Sequence, residues 1–189
     1  MKLLSALLTL VMSLHAIPVL ATPISVADAM KTRGTVLLIR HALAPGFGDP
    51  ANFQVDDCST QRNLNDTGRQ QARAIGVALR NAGADNTEVL SSPWCRCLET
   101  ATEMALGPVI PFDGLSSFFQ GHADRGETLR LLRERLATVQ SSDPPLIMVT
   151  HQVVISALTG QGTRSGGAVL YDPKKLITIT VAMPEPPYE

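Results

Sequence analysis

The sequence predicts an α/β fold: a three-layer sandwich with a mostly parallel central sheet and helices on both faces. Short β-branched runs alternate with helical stretches along the chain, which is typical of strands joined by helical crossovers. The run TVLLI at residues 35–39 is apolar on both faces, as a central parallel strand is. The last two strand-like runs follow each other directly and predict a terminal hairpin.

The hydrophobic periodicity and the residues that start or stop helices and strands define the individual elements. Strands are predicted at residues 35–39, 88–92, 108–112 and 145–150, and in a hairpin of residues 168–172 and 175–183. Helices are predicted at residues 25–31, 65–83, 93–106, 127–140 and 152–160. Ser25 and Asp28 resemble a capping box, and Gly83 and Gly160 are stop signals. Residues 42–65 form a long loop rich in Gly, Pro, Asp and Asn, and loops of that length are usually functional.

The first residues resemble a secretory signal peptide. Lys2 precedes an apolar tract over residues 3–14, and small residues follow at Val19 and Ala21, after which we expect cleavage. The uninterrupted apolar length is below the roughly 20 residues that cross a bilayer. We therefore expect residues 1–21 to be removed and residues 22–189 to form a single domain. This domain is expected to be periplasmic or secreted, without stable membrane insertion.

The charge balance and the histidine spacing limit the classes of partner and cofactor that we expect for this chain. The chain has 16 Lys and Arg against 17 Asp and Glu, and loss of Lys2 leaves 15 against 17, a formal net charge of −2. This balance predicts no nucleic-acid partner. No compact ligand motif such as H-x-H or H-E-x-x-H occurs, so we expect no metal and no cofactor. The sequence does not specify an oligomeric state.

Three cysteines are present: Cys58, Cys95 and Cys97. In an oxidising compartment an odd number predicts at most one internal bridge and one free thiol. Cys95 and Cys97 flank one residue and would strain to pair with each other. We therefore expect Cys58 to pair with either Cys95 or Cys97.

Arginine and histidine side chains follow three of the predicted strands. Arg40 and His41 follow the first strand, Arg96 opens the helix after the second, and His151 follows the strand at residues 145–150. The carboxyl ends of parallel strands meet at one edge of the sheet, where ligands bind in open α/β sheets. Arginine is disfavoured in a first helical turn unless an anion lies in front of it. Together these groups predict an anion-binding pocket.

Phosphate fits this set of groups best. The planar guanidinium fork matches phosphate oxygens, and a helix amino terminus adds backbone N–H donors. Neighbouring cations favour the neutral form of His41, whose ring nitrogen can then attack phosphorus, while His151 can stabilise the transferred group. Arg62 and Gln152 are further candidate phosphate contacts, and a purely structural role stays open for each.

Four segments, in order between residues 36 and 152, resemble the motifs of the histidine phosphatase superfamily, which includes phosphoglycerate mutases and acid phosphatases. LLIRHALAPG is similar to its R-H-G signature, and STQRNLNDTGRQQARAIG to its L-T-x-x-G-x-x-Q-A segment. VLSSPWCRCLETA is similar to its S-S-x-x-x-R-x-x-x-T-A segment, and MVTHQ to its second histidine motif. The resemblance implies a phosphoglycerate mutase-like fold and a phosphohistidine intermediate at His41. It also implies phosphate clamping by Arg40 and Arg96 and a second catalytic histidine at His151.

Two positions depart from the family pattern. Ala42 replaces the glycine of the signature, and Ser117 aligns with the acidic residue that donates a proton to the leaving group in many members. Asp113, Asp124 and Glu127 are nearby alternatives for that donor. Our hypothesis is that no dedicated carboxylic acid exists. Leaving-group protonation typically contributes roughly 10²- to 10⁴-fold to rate, so substrates would be restricted to good leaving groups.

These inferences predict an exported, metal-independent phosphohydrolase that cleaves phosphomonoesters through a phosphohistidine at His41. Its substrate would be a small-molecule or protein phosphoester. Two alternatives share the same residues: a noncatalytic phospholigand-binding protein and a phosphoglycerate-type mutase. Retention of both histidines argues against the first, because binding needs only the arginines. Export and the missing glutamate argue against the second.

Overall fold

The computed structural model describes residues 22–186, and within them one mixed sheet of seven strands is flanked by five helices. The strands are β1 (Ile24–Ser25), β2 (Val36–Arg40), β3 (Val89–Ser91), β4 (Val109–Pro111), β5 (Leu146–Thr150), β6 (Ala168–Asp172) and β7 (Ile177–Ala182). The helices are α1 (Val26–Lys31), α2 (Asp66–Asn81), α3 (Cys95–Met104), α4 (Arg125–Ala137) and α5 (Gln152–Thr159). Short 3₁₀ turns lie at Cys58–Thr60, Asp113–Leu115 and Phe119–Gly121. The predicted α/β class is confirmed.

The sheet has the strand order β1-β7-β6-β2-β5-β3-β4. Strands β2, β5, β3 and β4 run parallel to one another, whereas β6 is antiparallel to both β2 and β7. The predicted hairpin is therefore present as β6 and β7. It adds the antiparallel part of an otherwise mostly parallel sheet.

Both faces of the sheet are buried, which explains the uninterrupted apolar run in β2. Leu37 and Ile39 belong to a core that includes side chains of α1, α2 and α3. Val36 and Leu38 belong to a second core, formed with α4 and α5. Because successive side chains of a strand point to opposite faces, one apolar pentapeptide supplies both layers.

The predicted start of α3 is two residues too early. Pro93 lies outside the helix, which begins at Cys95. The backbone N–H of Cys95 donates to Oε1 of Gln61 at 3.0 Å, so a distant loop side chain satisfies one of the free donors of the first turn. The helix propensity of Pro93 therefore does not determine where α3 begins. The group that caps the helix is the side chain of Gln61, which comes from another part of the fold.

The start of α4 and the first strand also differ from the prediction. Helix α4 begins at Arg125, two residues earlier than predicted, because the carboxylate of Asp124 accepts from the backbone N–H of Glu127 at 2.7 Å. The strand β1, which the sequence analysis missed, has only two residues and pairs in parallel with β7. The predicted cap at Ser25 is confirmed, since its hydroxyl accepts from the backbone N–H of Asp28.

A disulfide joins the long loop of residues 42–65 to the start of α3. Of the two pairings expected, the structure contains Cys58–Cys95, while Cys97 is a free, buried thiol. The bond joins the 42–65 loop to the first residue of α3. It therefore anchors this loop directly beside Arg96.

The predicted signal peptide, residues 1–21, lies outside the described residues. Among residues 22–186, no helix has the length and apolarity needed to cross a membrane.

Candidate active site

All six residues predicted to bind or transform the substrate line one pocket at the carboxyl ends of β2 and β5. Its volume is about 200 Å³. The two strands pair in parallel with Arg40 opposite Thr150, so the residues that follow them emerge side by side. The predicted members of the lining are Arg40, His41, Arg62, Arg96, His151 and Gln152. Their placement agrees with the sequence analysis, and their roles stay predictions.

His41 is buried directly after β2, and its two ring nitrogens are in different situations. Nδ1 lies 2.8 Å from the carbonyl oxygen of Ala42. A carbonyl only accepts, so Nδ1 carries the proton and Nε2 of the neutral ring has a free lone pair. Burial, followed by the charge of Arg96, lowers the pKa of His41 well below its usual value. The ring is therefore held as a neutral base with Nε2 as the nucleophilic atom.

His151 follows β5 and makes its hydrogen bonds to side chains. Nε2 lies 2.8 Å from Oγ of Ser92, and Nδ1 lies 3.4 Å from a terminal guanidinium nitrogen of Arg96. A guanidinium nitrogen only donates, so Nδ1 accepts from Arg96, and the ring proton lies on Nε2, which donates to Oγ of Ser92.

The two imidazoles are close enough to act on one phosphoryl group. Their ring centroids are 5.5 Å apart in an edge-on arrangement. Burial is also the main reason that the pKa of His151 lies well below its usual value, with Arg96 and His41 adding to the effect. Both rings are thus neutral while arginines supply the positive charge of the pocket.

Arg96 is held by a carboxylate that the sequence analysis did not select. Its two terminal nitrogens donate to Oδ1 and Oδ2 of Asp49 at 2.8 and 3.2 Å, and both side chains are almost fully buried. Asp49 also accepts from the backbone N–H of Arg62 and the indole N–H of Trp94. Burial alone raises the pKa of the Asp49 carboxyl, but these hydrogen bonds outweigh it and the pKa lies below its usual value. The anion expected in front of Arg96 is therefore, in part, an internal one.

Two guanidinium donors remain without an acceptor among residues 22–186. Nε of Arg40 and Nε of Arg96 are both buried and have no hydrogen-bond partner in this part of the chain. A buried N–H of a charged group is costly when unpaired. Asp49 orients Arg96 through its terminal nitrogens, so an oxyanion in the pocket can still be bound through Nε.

Arg62 and Gln152 line the pocket, but much of their hydrogen-bonding capacity is used elsewhere. The guanidinium of Arg62 donates to the carbonyl oxygens of Ala44 and Gly48 in the 42–65 loop. The amide of Gln152 accepts from the backbone N–H of Thr163 at 2.8 Å and donates to Ser156 at 2.8 Å. Both residues therefore have a structural part, and Gln152 in particular presents its backbone at the start of α5.

Conspicuous motif residues outside the pocket fix the backbone just after His41. The N–H of Ala42 donates to Oγ1 of Thr100, and the N–H of Leu43 donates to Oε1 of Gln71, each at 3.0 Å. A Cβ at Gly68 would lie 2.0 Å from the carbonyl oxygen of Leu43, so only glycine permits this approach of α2 to the loop. These contacts hold the chain that orients the His41 ring.

The family model described as histidine phosphatase superfamily (branch 1) matches residues 36–121, the stretch that contains His41, Arg62 and Arg96. The match supports the superfamily resemblance of the sequence motifs, and it supports phosphatase activity. No curated protein sequence matches the chain.

Solved structures show the same fold at low sequence identity. The SixA protein of Agrobacterium tumefaciens has a TM-score of 0.54 and 21% identity, covering 81% of this chain and 99% of its own. A mycobacterial glucosyl-3-phosphoglycerate phosphatase has a TM-score of 0.54 and 14% identity, covering 79% and 96%. A phosphoserine phosphatase of Entamoeba histolytica has a TM-score of 0.51 and 16% identity, covering 80% and 96%. The predicted phosphoglycerate mutase-like fold is confirmed.

The candidate proton donors of this histidine phosphatase-like chain do not line the histidine pocket. Asp113, Asp124 and Glu127 line a separate cavity, walled by Trp94. Asp124 caps α4 and Glu127 pairs with Arg130. Ser117, the residue at the family's acidic position, does line the histidine pocket. Among the described residues, the ionisable groups lining it are the three arginines and the two histidines.

Sequence reasoning missed Asp49 and Ser92. Asp49 lies in a loop, far along the chain from Arg96, and no spacing rule relates the two. Ser92 is the last residue of the strand predicted at residues 88–92, but its contact with His151 depends on the parallel pairing of β3 with β5. A buried arginine in a first helical turn was the available signal for a nearby carboxylate.

The arrangement suits phosphoryl transfer through the protein itself. A neutral nucleophilic nitrogen, a second imidazole and buried guanidinium groups face one small cavity. Among residues 22–186, no group of three or more His, Cys, Asp or Glu side chains could hold a metal ion. The thiol of Cys97 is 3.4 Å from Nε2 of His151, but burial raises its pKa to about 12, so it is a neutral contact of that ring.

Proposed function

We propose that this protein is an exported phosphohydrolase that cleaves phosphomonoesters through a phosphohistidine intermediate at His41. The observation that carries the proposal is the hydrogen bond from His41 Nδ1 to the carbonyl of Ala42. This hydrogen bond leaves Nε2 of His41 with a free lone pair. The ring centroid of His41 lies 5.5 Å from that of His151, and buried arginines lie beside the ring. A binding protein needs the arginines but has no use for an oriented, neutral nucleophile.

In the first step, the lone pair of Nε2 forms a bond to phosphorus as the bond between phosphorus and the leaving oxygen breaks. The electron pair of that bond leaves with the oxygen. Arg40 and Arg96 bind the phosphoryl oxygens, and their charge offsets the charge that spreads over these oxygens in the transition state. His151 helps to orient Arg96 towards these oxygens, because its Nδ1 accepts from the Arg96 guanidinium.

In the second step, water attacks phosphorus and the bond between phosphorus and Nε2 breaks. The electron pair returns to Nε2, and the proton released by water goes to the phosphate product or the solvent. The carbonyl of Ala42 keeps Nδ1–H in place throughout, so the ring is regenerated in its starting tautomer. The cycle uses no group besides the substrate, water and this chain's own side chains.

The leaving group receives no proton from a carboxylic acid of the described pocket. Asp113, Asp124 and Glu127 lie in another cavity, and Asp49 is already bound by two N–H groups of Arg96. Substrates with acidic alcohols, whose alkoxides leave without protonation, should therefore be preferred. Comparable turnover of alkyl and nitrophenyl phosphates, together with a steep loss in Asp113→Asn, would contradict this part of the proposal.

The direct test is to trap the intermediate. The mature protein is incubated with a ³²P-labelled aryl phosphate, quenched in alkali and analysed by peptide mass spectrometry, because phosphohistidine is stable in base and labile in acid. We expect label on His41 in the wild type and none in His41→Asn. His122→Asn is the matched control, since this histidine lies outside the pocket and should be dispensable. Label on a serine or on no residue during turnover would reject the mechanism.

The remaining alternatives give different results in the same assay. Turnover that is lost with EDTA would indicate metal-dependent chemistry. Tight phosphate binding without hydrolysis of any ester would indicate a phospholigand-binding protein. Transfer of the label to 3-phosphoglycerate in preference to water would indicate a mutase.

Export is a separate part of the proposal. It rests on the apolar segment that precedes Ala21 and agrees with a disulfide between Cys58 and Cys95. Expression of the full chain followed by amino-terminal sequencing of the extracytoplasmic fraction should give a first residue of Thr22. Full-length protein confined to the cytoplasm would refute export and leave the chemistry untouched.

A further inference from the structure

Two phenylalanines stand at the mouth of the histidine pocket. Phe47 is 90% exposed and Phe119 is 37% exposed, and both line the same cavity as His41 and Arg96. Their ring centroids are 5.2 Å apart and nearly perpendicular. An almost fully exposed phenylalanine stabilises the fold very little, whereas two aromatic rings in contact beside a cavity form the kind of apolar patch that marks a ligand-binding groove.

The direction of the reaction points the leaving group toward these rings. His41 is buried at the floor of the pocket. In phosphoryl transfer the attacking and leaving atoms lie roughly in line on opposite sides of phosphorus. The leaving group therefore extends away from His41 toward solvent, where Phe47 and Phe119 form part of the wall.

Hydrogen bonds join the two loops that carry the rings. Oε1 of Gln120 accepts from the backbone N–H of Asp49 at 2.7 Å, and its amide nitrogen donates to the Asp49 carbonyl at 3.3 Å. Asp49 is in turn the partner of Arg96. The position of the Phe47 and Phe119 pair is thus coupled to the phosphate clamp rather than left to a free loop end.

The chemistry of the mouth differs from that of the floor. Arginine supplies all the permanent charge of the pocket lining, while Phe47, Phe119 and Val153 supply apolar surface. No carboxylate or lysine contributes to this lining among the described residues. A ligand that complements both parts carries a phosphate at one end and a flat apolar group next to it.

We propose that Phe47 and Phe119 form a subsite for an aromatic leaving group, so that the substrates are aryl phosphates. The inference rests on the proposed function and narrows its substrate class. It also agrees with the leaving-group argument, because phenols are more acidic than aliphatic alcohols and depart without a proton donor. Ring contacts of this kind give a preference of roughly threefold to tenfold.

The test separates ring contact from leaving-group acidity. Values of kcat/KM are measured for phenyl phosphate and for a fluoroalkyl phosphate whose alcohol is as acidic as phenol. We expect the wild type to prefer the phenyl ester by roughly threefold to tenfold. Phe47→Ala should bring the ratio close to one, and Phe47→Tyr should retain the preference.

A control variant and a binding measurement keep the outcome unambiguous. Leu176→Ala removes an apolar side chain that is 74% exposed in the β6–β7 turn, at the opposite edge of the sheet, and should leave the ratio unchanged. Affinities for phenylphosphonate and methylphosphonate are measured in parallel, since neither is hydrolysed. A phenyl preference that Phe47→Ala abolishes supports the subsite even if His41 proves not to be the nucleophile. Equal ratios in wild type and Phe47→Ala, in either assay, would overturn it.

Discussion

The ends of β2 and β5 are neighbours in the sheet, and each carries a buried histidine, yet the two rings are held differently. At the end of β2, His41 is tied through Nδ1 to a backbone carbonyl, which fixes one tautomer. At the end of β5, Nδ1 of His151 accepts from the Arg96 guanidinium, which leaves the ring proton on Nε2, facing the Ser92 hydroxyl. The same residue type in matching positions therefore receives two roles. A ring with a free lone pair on Nε2 suits a nucleophile, and a ring that accepts from Arg96 suits the positioning of the phosphate clamp.

The largest expected effect in this comparison comes from removing the ring that accepts from Arg96. His151→Asn should lower kcat by roughly 10²- to 10³-fold, because the Arg96 donors to the developing charge lose their orientation. His41 stays intact, so the phosphoenzyme should still form, slowly, and should be detectable by rapid quench. His122→Asn should behave like wild type. Complete absence of phosphoenzyme in His151→Asn would contradict the assignment of the nucleophile to His41 alone and of a supporting role to His151.

Asp49 tests the same comparison through Arg96, the guanidinium that it orients. Asp49→Asn removes the charge that orients Arg96, and charge-assisted hydrogen bonds of this kind are worth enough for a loss of roughly 10- to 100-fold in kcat/KM. Asp56→Asn, an exposed change in the same loop, is the control. If Asp49→Asn changes only thermal stability and leaves kcat/KM as in wild type, Asp49 has a merely structural part.

Ser92 should show a smaller effect, specific to the ring at β5. Ser92→Ala removes a neutral hydrogen bond, which corresponds to a loss of about fivefold in kcat. It also removes the acceptor of the Nε2–H of His151. We therefore expect no further loss when Ser92→Ala is combined with His151→Asn. Additive losses in the double variant would mean that Ser92 acts independently of that ring.

The smallest effect concerns acid stability. The pKa of each buried histidine is lowered from about 6.5, so below that pH the unfolded chain binds more protons than the folded one. The free energy of unfolding should then fall as pH drops below 6.5, by at most about 1.4 kcal/mol per pH unit for each histidine. Urea unfolding at pH 7.5 and 5.0 measures this. His151→Gln should show a shallower dependence, and an unchanged slope would contradict the buried neutral state.

Most of the site's location was predictable because it depends on topology. Parallel strands end at a common edge, so the residues after two such strands converge whatever the intervening chain does. That reasoning placed His41, His151 and Arg96 in one pocket, where the structure has them. The α/β class followed from the same alternation of strand and helix.

The contacts that tune the site were not predictable, because they join residues with no common period. The Asp49 to Arg96 pair, the Gln61 cap of α3 and the Ser92 to His151 contact all link a loop or strand end to a distant element. The two-residue strand β1 exists only because β7 is beside it. Such features arise from tertiary packing, which local propensity does not encode.

The disulfide between Cys58 and Cys95 also affects the unfolded chain. Closing a segment with a sequence separation of 37 residues removes conformational freedom from the denatured ensemble worth about 4 kcal/mol, a large share of a typical domain's total stability. A newly made chain that has not met an oxidant lacks this contribution. It should be the more easily degraded form, so oxidation after synthesis would decide how long each copy survives.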